Sequence, residues 1–249
     1  MLTDTHCHFE NIYYDDYNVI IKNSLENGVN RIFACGCSKK ANIEAIRVAE
    51  NNDNIYATIG YHPDQADIIN SSDLLLLEEQ INNNNVIGIG EIGLDYHYEG
   101  YDKDKQKSLF EEQLKLAEKL NLPVVIHSRD ATQDTIDILK KYNVKGLIHS
   151  FSGSVEVAKI YLKMGFKLSI NGLVTFKNCN LKETLKKLSP NDIVFETDAP
   201  YMTPVPFRGQ KNESKNIKVI ADFVSEIFKI STEELAKITN KNIAMIFDI

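Results

Sequence analysis

No stretch of this 249-residue chain stays apolar for the length that a bilayer requires, so no membrane-spanning helix is read from it. The amino terminus, MLTDTHCH, has no basic segment followed by an apolar one and does not read as a secretion signal. Cysteine is scarce. Cys7, Cys35, Cys37 and Cys179 are too few for a disulfide scaffold, and reduced thiols in a cytoplasmic protein are the expectation. Cys35-x-Cys37 has neither zinc-ribbon nor thioredoxin spacing. No Gly-rich fingerprint follows the first apolar run, which weighs against a dinucleotide site. No internal repeat, low-complexity tract or Pro/Gly/Ser linker divides the chain, so one domain over residues 1–249 is expected. Positive charge is in deficit: 28 Lys and Arg stand against 35 Asp and Glu, for a formal net charge of -7. Such a chain has no global attraction to a polyanion. Any nucleic-acid binding has to rest on a local basic patch and bound metal. Nothing in the composition sets the oligomeric state, and a monomer is expected.

Short β-rich apolar runs are present, alternating with longer segments of helical period. The runs are Leu2–His8, Arg31–Cys37, Ile55–His62, Val86–Leu94, Pro123–His127, Gly146–Phe151, Lys167–Leu173 and Ile193–Asp198. Helical spacing is clearest in KQKSLFEEQLKLAEKL (Lys105–Leu120), where Leu109, Phe110, Leu114, Leu116, Ala117 and Leu120 fall mostly along one stripe. Ala131–Tyr142, Val155–Met164, Asn180–Leu188, Ile217–Ile230 and Thr232–Phe247 read the same way. Strands alternating with helices imply a parallel sheet, and eight such units in about 250 residues suit an α/β fold of the TIM (β/α)8 barrel type. An open doubly wound sheet is the competing layout. Asn82–Asn85 reads as a loop. The longest irregular stretch is Pro200–Ser214, which holds Pro200, Pro204 and Pro206, and long loops in compact domains are often functional.

The placement of the six histidines carries most of the chemistry. Strand side chains alternate faces, so His6 and His8 point one way and Cys7 the other. Two imidazoles on one face make half of a transition-metal site. Asp4 shares that face; it could be a ligand, but a partner that orients a histidine is its expected role. His62, His127, His149 and Asp198 each end a predicted strand, and Glu91 lies within one. In a barrel of this type, the carboxyl ends of the strands face the active site. Any one of these residues could be a satisfied polar residue near the core, but the coincidence repeats on different strands. Buried carboxylates and imidazoles are costly without a cation, and a metal pair removes that cost.

His6, His8, Glu91, His127, His149 and Asp198 exceed the three or four ligands of one catalytic zinc. Two divalent ions about 3.5–4 Å apart fit better, with Glu91 as the bridging carboxylate. Imidazole and carboxylate donors suit Zn, Mn, Fe or Ni, and Mg remains open in a phosphate-handling enzyme. Arg129, two residues past His127, and Arg208, in the Pro200–Ser214 loop, could clamp phosphate oxygens or form surface ion pairs. Tyr61, Tyr96, Tyr201 and Phe207 could stack on a base or simply pack their loops.

DTHCHF (Asp4–Phe9), GYHPD (Gly60–Asp64), GEIGLDYH (Gly90–His97), PVVIHSRDA (Pro123–Ala131), HSFSG (His149–Gly153) and ETDAPYMTPVPFRG (Glu196–Gly209) together span nearly the whole chain. This set resembles the TatD family of metal-dependent deoxyribonucleases, a branch of the amidohydrolase superfamily. The resemblance implies a TIM barrel, a two-metal site and hydrolysis of DNA phosphodiester bonds, often from 3′ ends of DNA as a 3′–5′ exonuclease. It implies His6, His8 and Asp198 on one metal, His127 and His149 on the other, and Glu91 between them. Glu91 and Asp198 are the catalytic pair, and His62, Arg129 and Arg208 are the phosphate contacts. The chain departs from many relatives at Phe207, where they carry His. It departs again at Gln210, Lys211 and Ser214, where they carry a basic pair followed later by Pro. The loop is therefore slightly less basic. His97 falls outside the site. Some members of the family look like deacylases of D-aminoacyl-tRNA, so a metal-dependent ester or amide hydrolase is the alternative. The strand that carries Glu91 offers no lysine for carbamylation, which argues against a dihydroorotase-like branch.

Overall fold

The computed structural model describes residues 1–10 and 12–249. Eight strands form one parallel sheet in which each pairs with the next in the chain. They are β1 (Leu2–Cys7), β2 (Val29–Cys35), β3 (Ile55–Ile59), β4 (Val86–Asp95), β5 (Val124–Arg129), β6 (Gly146–Ile148), β7 (Phe166–Ile170) and β8 (Ile193–Phe195). The sheet nearly closes on itself. Just past β8, Asp198 donates its backbone N–H to His6 O (3.0 Å), and His8 N–H donates to Ala199 O (2.9 Å). This consecutive order is that of a TIM barrel and not of an open doubly wound sheet, whose strand order reverses partway.

Nine helices lie between or after the strands among the described residues: α1 (Tyr17–Glu26), α2 (Lys39–Glu50), α3 (Ser71–Ile81), α4 (Lys103–Leu120), α5 (Thr132–Leu139), α6 (Val155–Lys163), α7 (Leu181–Leu185), α8 (Ile217–Phe228) and α9 (Thr232–Phe247). Their starts are written in the sequence. Asp16, Ser38, Asn70, Asp102, Ser154 and Ser231 each accept a backbone N–H of the first turn of the helix that follows. The sequence reading named no helix over α1, α2 or α3. In α3, four consecutive leucines (Leu74–Leu77) conceal the helical period. Only Leu77 is buried, while Leu75 is 63% exposed.

The strands are buried on both faces, as a barrel wrapped by helices requires; all ten residues of β4 are buried. At the amino ends of the strands, Ile87, Val125, Leu147 and Val194 are each the second residue of a strand. They pack with Phe33 against Ile243, Ile246 and Phe247 of α9. The Phe33 and Phe247 rings meet edge to face at 5.0 Å. This apolar plug closes one mouth of the barrel. The opposite mouth, at the carboxyl ends of the strands, is left to polar residues.

Candidate metal centre

At that mouth, β1 delivers His6 and, one residue past its end, His8. β4 delivers Glu91 from its middle and Asp95 from its last position. His127 lies within β5, His149 follows β6 directly, and Asp198 stands three residues beyond β8. Asp198 and Ser150 adopt left-handed φ values of 56° and 47°. That conformation is uncommon for residues other than glycine, and Asp tolerates it better than most. Gly93 makes the close approach of β4 to β5 possible. A Cβ there would stand 1.9 Å from His127 O, and the residue has φ +148°.

The side chains converge on Glu91, which is 4% exposed. Its Oε2 faces His6 Nε2 at 3.5 Å, whereas its Oε1 faces His127 Nδ1 at 2.6 Å and His149 Nε2 at 3.6 Å. His6 Nε2 and His8 Nε2 are 3.3 Å apart. Asp198 Oδ1 lies 3.7 Å from His8 Nε2 and 3.9 Å from both His6 Nε2 and His149 Nε2. The structure thus brings all six predicted metal residues together. Donors about 2.0–2.2 Å from a tetrahedral cation lie about 3.3–3.6 Å from one another. Most spacings here match that edge length or slightly exceed it. His6 and His8 are buried, and the Nδ1 atom of each lacks a hydrogen-bond partner among the described residues. The donor set fits divalent cations.

The charge balance says the same. Burial raises the Glu91 carboxyl, but His149 and His127 outweigh it and hold Glu91 well below the usual range. Asp198 is likewise held down against burial by His149 and His8. Burial lowers His127 and His149, yet Glu91 and Asp95 hold the first up at about 9, and Glu196 with Glu91 hold the second at about 10. His6 is lowered by burial and by His149. The cluster therefore holds anionic carboxylates that draw positive charge toward themselves.

Sequence reasoning missed two carboxylates. Asp95 Oδ2 stands 3.1 Å from His127 Nε2. Glu196, fully buried, stands 3.1 Å from His149 Nδ1 and accepts Ser150 N–H at 2.7 Å. Each fixes an imidazole from behind, so that its other nitrogen faces Glu91. The signal was present. Asp95 shares strand parity with Glu91, and Glu196 sits two residues before Asp198. Asp4 needs correction. It touches no imidazole. It accepts Thr197 Oγ1–H (2.6 Å), Thr197 N–H (2.8 Å) and the His6 backbone N–H (3.2 Å), and so ties the turn after β8 to β1. Burial pushes Asp4 up to about 7 against those hydrogen bonds.

His62 lies at the edge of the cluster, its ring edge-on to His127 with centroids 4.5 Å apart. It caps the short turn Pro63–Gln65 that follows β3. With Asp95, Tyr98 and Tyr101 it lines a cleft of ≈ 260 Å³. Arg129, the last residue of β5, stands over Tyr98, 5.3 Å from the ring centroid. Arg208 stands 4.1 Å over the Phe176 ring. Neither guanidinium forms an ion pair among the described residues. A larger hollow of ≈ 370 Å³, lined by Leu74, Leu75, Leu116, Lys115 and neighbours on α3 and α4, lies in the outer helical layer and contains no such cluster.

The aromatic expectations divide. Tyr61 is fully buried and donates its hydroxyl to Asp73 O (3.0 Å), so it cannot stack on a base. Tyr96 is already stacked on Tyr101. Tyr201 and Phe207 are exposed. Tyr201 also donates to the Tyr13 hydroxyl at 2.8 Å, and both rings lie edge-on to His8. His97 pairs with Asp130, away from Glu91.

The family described as TatD related DNase matches residues 3–248. The chain is 41% identical over 254 residues to the uncharacterized metal-dependent hydrolase YabD of Bacillus subtilis, covering 100% of both. It is 33% identical over 250 residues to the uncharacterized metal-dependent hydrolase MJ1582 of Methanocaldococcus jannaschii, covering 98% of this chain and 96% of that one. The crystal structure of YjjV, a TatD homolog from Escherichia coli, superposes with a TM-score of 0.94 at 27% identity, covering 100% of this chain and 98% of that one.

Proposed function

The chain belongs to the TatD-related DNase family, and from that premise we propose that it cleaves DNA phosphodiester bonds as a divalent-metal-dependent 3′–5′ exodeoxyribonuclease. One observation carries the reading: at the open mouth of the barrel one oxygen of Glu91 faces His6, which lies beside His8, and the other faces His127 and His149. His6, His8 and Asp198 would hold one divalent ion, His127 and His149 a second, with Glu91 between them. Ions so held supply Lewis-acid charge and an acidified water.

The remaining work falls to side chains. Asp198, buried and held ionised, accepts the proton of the attacking water. His62 and Arg129, on the side of His127, and Arg208, in the loop after β8, hold the phosphate oxygens. Their lack of carboxylate partners favours this role for the arginines over that of surface ion pairs. Tyr13 and Tyr201 beside His8 offer aromatic surface to a terminal base.

The test is hydrolysis of oligonucleotides with free and blocked 3′ ends by protein reloaded with Mg, Mn, Zn, Fe or Ni, with D-aminoacyl-tRNA assayed beside them. Loss of free 3′ ends that Glu91→Ala abolishes supports the reading. Intact DNA alongside rapid deacylation of aminoacyl-tRNA overturns it in favour of an ester hydrolase.

A further inference from the structure

We propose that Cys35 is a metal ligand, joining His6, His8 and Glu91, beside Asp198, in a site for a thiophilic divalent cation. The inference rests on the metal-centre reading above and makes it more specific. Cys35 ends β2 and is 1% exposed. Its Sγ, a ring nitrogen from each of His6 and His8, and an oxygen of Glu91 all lie within 4.8 Å of one another, and all four residues are buried.

The strand register builds this arrangement. β1 pairs with β2 so that Cys7 stands opposite Ala34, which sets Cys35 level with His8 at the mouth. Glu91 N–H donates to Gly36 O at 2.9 Å and holds β4 against the same strand end. Among the described residues, the thiol itself donates only to the neighbouring Gly36 carbonyl, at 3.5 Å. Two imidazoles, one carboxylate and one thiolate form the mixed soft set that favours Zn, Fe(II) or Co(II) over Mg and Mn. On binding, the S–H bond breaks, the metal–sulfur bond forms and the proton leaves to solvent.

The two halves of the centre then differ. Glu91, His127 and His149 form a thiol-free set on the other side. Asp198 Oδ1, 3.7 Å from His8 Nε2 and 3.9 Å from His6 Nε2, stays on the first ion as a further donor, so the thiol-bearing side is also the richer in donors.

Cobalt(II) titration of the metal-free protein tests the proposal by absorption rather than by turnover. The wild type should develop visible d–d bands together with a near-ultraviolet thiolate-to-cobalt charge-transfer band. Cys35→Ser should lose the charge-transfer band and keep the d–d bands, and Cys37→Ser should keep both. Competitive titration should find zinc affinity at one site about tenfold or more weaker in Cys35→Ser, with magnesium affinity unchanged. The wild-type and Cys37→Ser spectra remain decisive if Cys35→Ser does not fold. Visible bands without charge transfer in the wild type overturn the proposal and leave the metal centre standing. A charge-transfer band lost in Cys37→Ser but kept in Cys35→Ser also overturns it. No cobalt bands at all would overturn the metal centre and this proposal together.

Discussion

Asp95→Asn isolates a carboxylate that reaches the cluster only through an imidazole. Asp95 Oδ2 is 3.1 Å from His127 Nε2, and the other ring nitrogen is 2.6 Å from Glu91 Oε1. A proton held on Nε2 by Asp95 leaves the Nδ1 lone pair for a cation beside Glu91. In the asparagine variant the carboxamide either accepts that proton without a charge or turns its NH2 toward Nε2. The second arrangement forces the proton onto Nδ1 and blocks the lone pair. Removing partners of this kind costs about 10–100-fold in metal affinity or activity, or about 1.4–2.8 kcal/mol. Little else changes. Gln106 holds the Asp95 backbone from both sides at 3.0 and 2.9 Å, and the His97 N–H that Asp95 accepts at 2.9 Å can be kept by an amide oxygen. Calorimetric metal titration near neutral pH, run beside thermal melting of the metal-free protein, separates orientation from mere stability. Orientation predicts weaker binding at the His127 side well below the melting temperature. Wild-type affinity at both sites in Asp95→Asn would refute the reasoning.

In the metal-free protein, His127 and His149 titrate near 9 and 10 against an ordinary 6.5. Their stabilising contribution is full below about 6.5 and is lost as pH rises through those values. Glu91 and Asp198 are held low, so theirs is present above the ordinary 4.5 and 3.8 and is lost as pH falls. Stability from this cluster should peak between about pH 4.5 and 6.5, and a denaturation midpoint that climbs steadily from pH 6 to 9 would contradict it. Arg129→Ala and Arg208→Ala should each raise KM about 10–150-fold by removing a charge-assisted hydrogen bond of about 1.5–3 kcal/mol, with a shallower salt dependence. Unchanged KM in the double variant would remove both from the phosphate site. Phe247→Ala empties the plug beneath β2 and should cost about 3–5 kcal/mol in chemical denaturation. A loss below about 1 kcal/mol, within the range of surface substitutions, would mean that α9 does not seal that mouth.

The metal residues were legible because a strand repeats every two residues and a barrel sends all its carboxyl ends to one mouth. His6-x-His8 and the histidines of β5 and β6 needed no tertiary information beyond that rule. The residues behind them were harder, since their role depends on distance along the barrel axis as well as on face. Asp4 has the right parity, yet it stands two residues too deep to reach an imidazole and binds the Thr197 turn instead. Asp95 also has the right parity, four residues beyond Glu91, and the length of β4 lets it reach the far nitrogen of His127. For Tyr61, base stacking and loop packing are equal on sequence, and α3 decides for packing by covering the ring and accepting its hydroxyl. The spacing of Cys35 to Cys37 carries no signal, although His6 and Glu91, on β1 and β4, bring donor atoms within 4.8 Å of its thiol. In each case the decisive neighbour lies on a different strand or helix, where local period is silent.

The acidic character of the chain finally bears on how DNA would be held. Glu91, Asp95, Glu196 and Asp198 gather at the mouth where a phosphate would have to sit, in a chain of formal net charge -7. In the metal-free protein the protonated imidazoles of His127 and His149, with Arg129 and Arg208, offset those four charges. Two divalent ions in place of those two protons would add net positive charge where the phosphate sits. DNA affinity should therefore be linked to metal, and by reciprocity DNA should tighten metal by the same factor. Coupling of about 1–3 kcal/mol, or about 5–150-fold, is the usual range. Fluorescence anisotropy with a phosphorothioate oligonucleotide that resists cleavage measures one arm, and metal titration with and without that oligonucleotide measures the other. Equal oligonucleotide affinity for metal-free and metal-loaded protein would mean that the phosphate is bound away from Glu91, and it would break the connection between the metal centre and a DNA substrate.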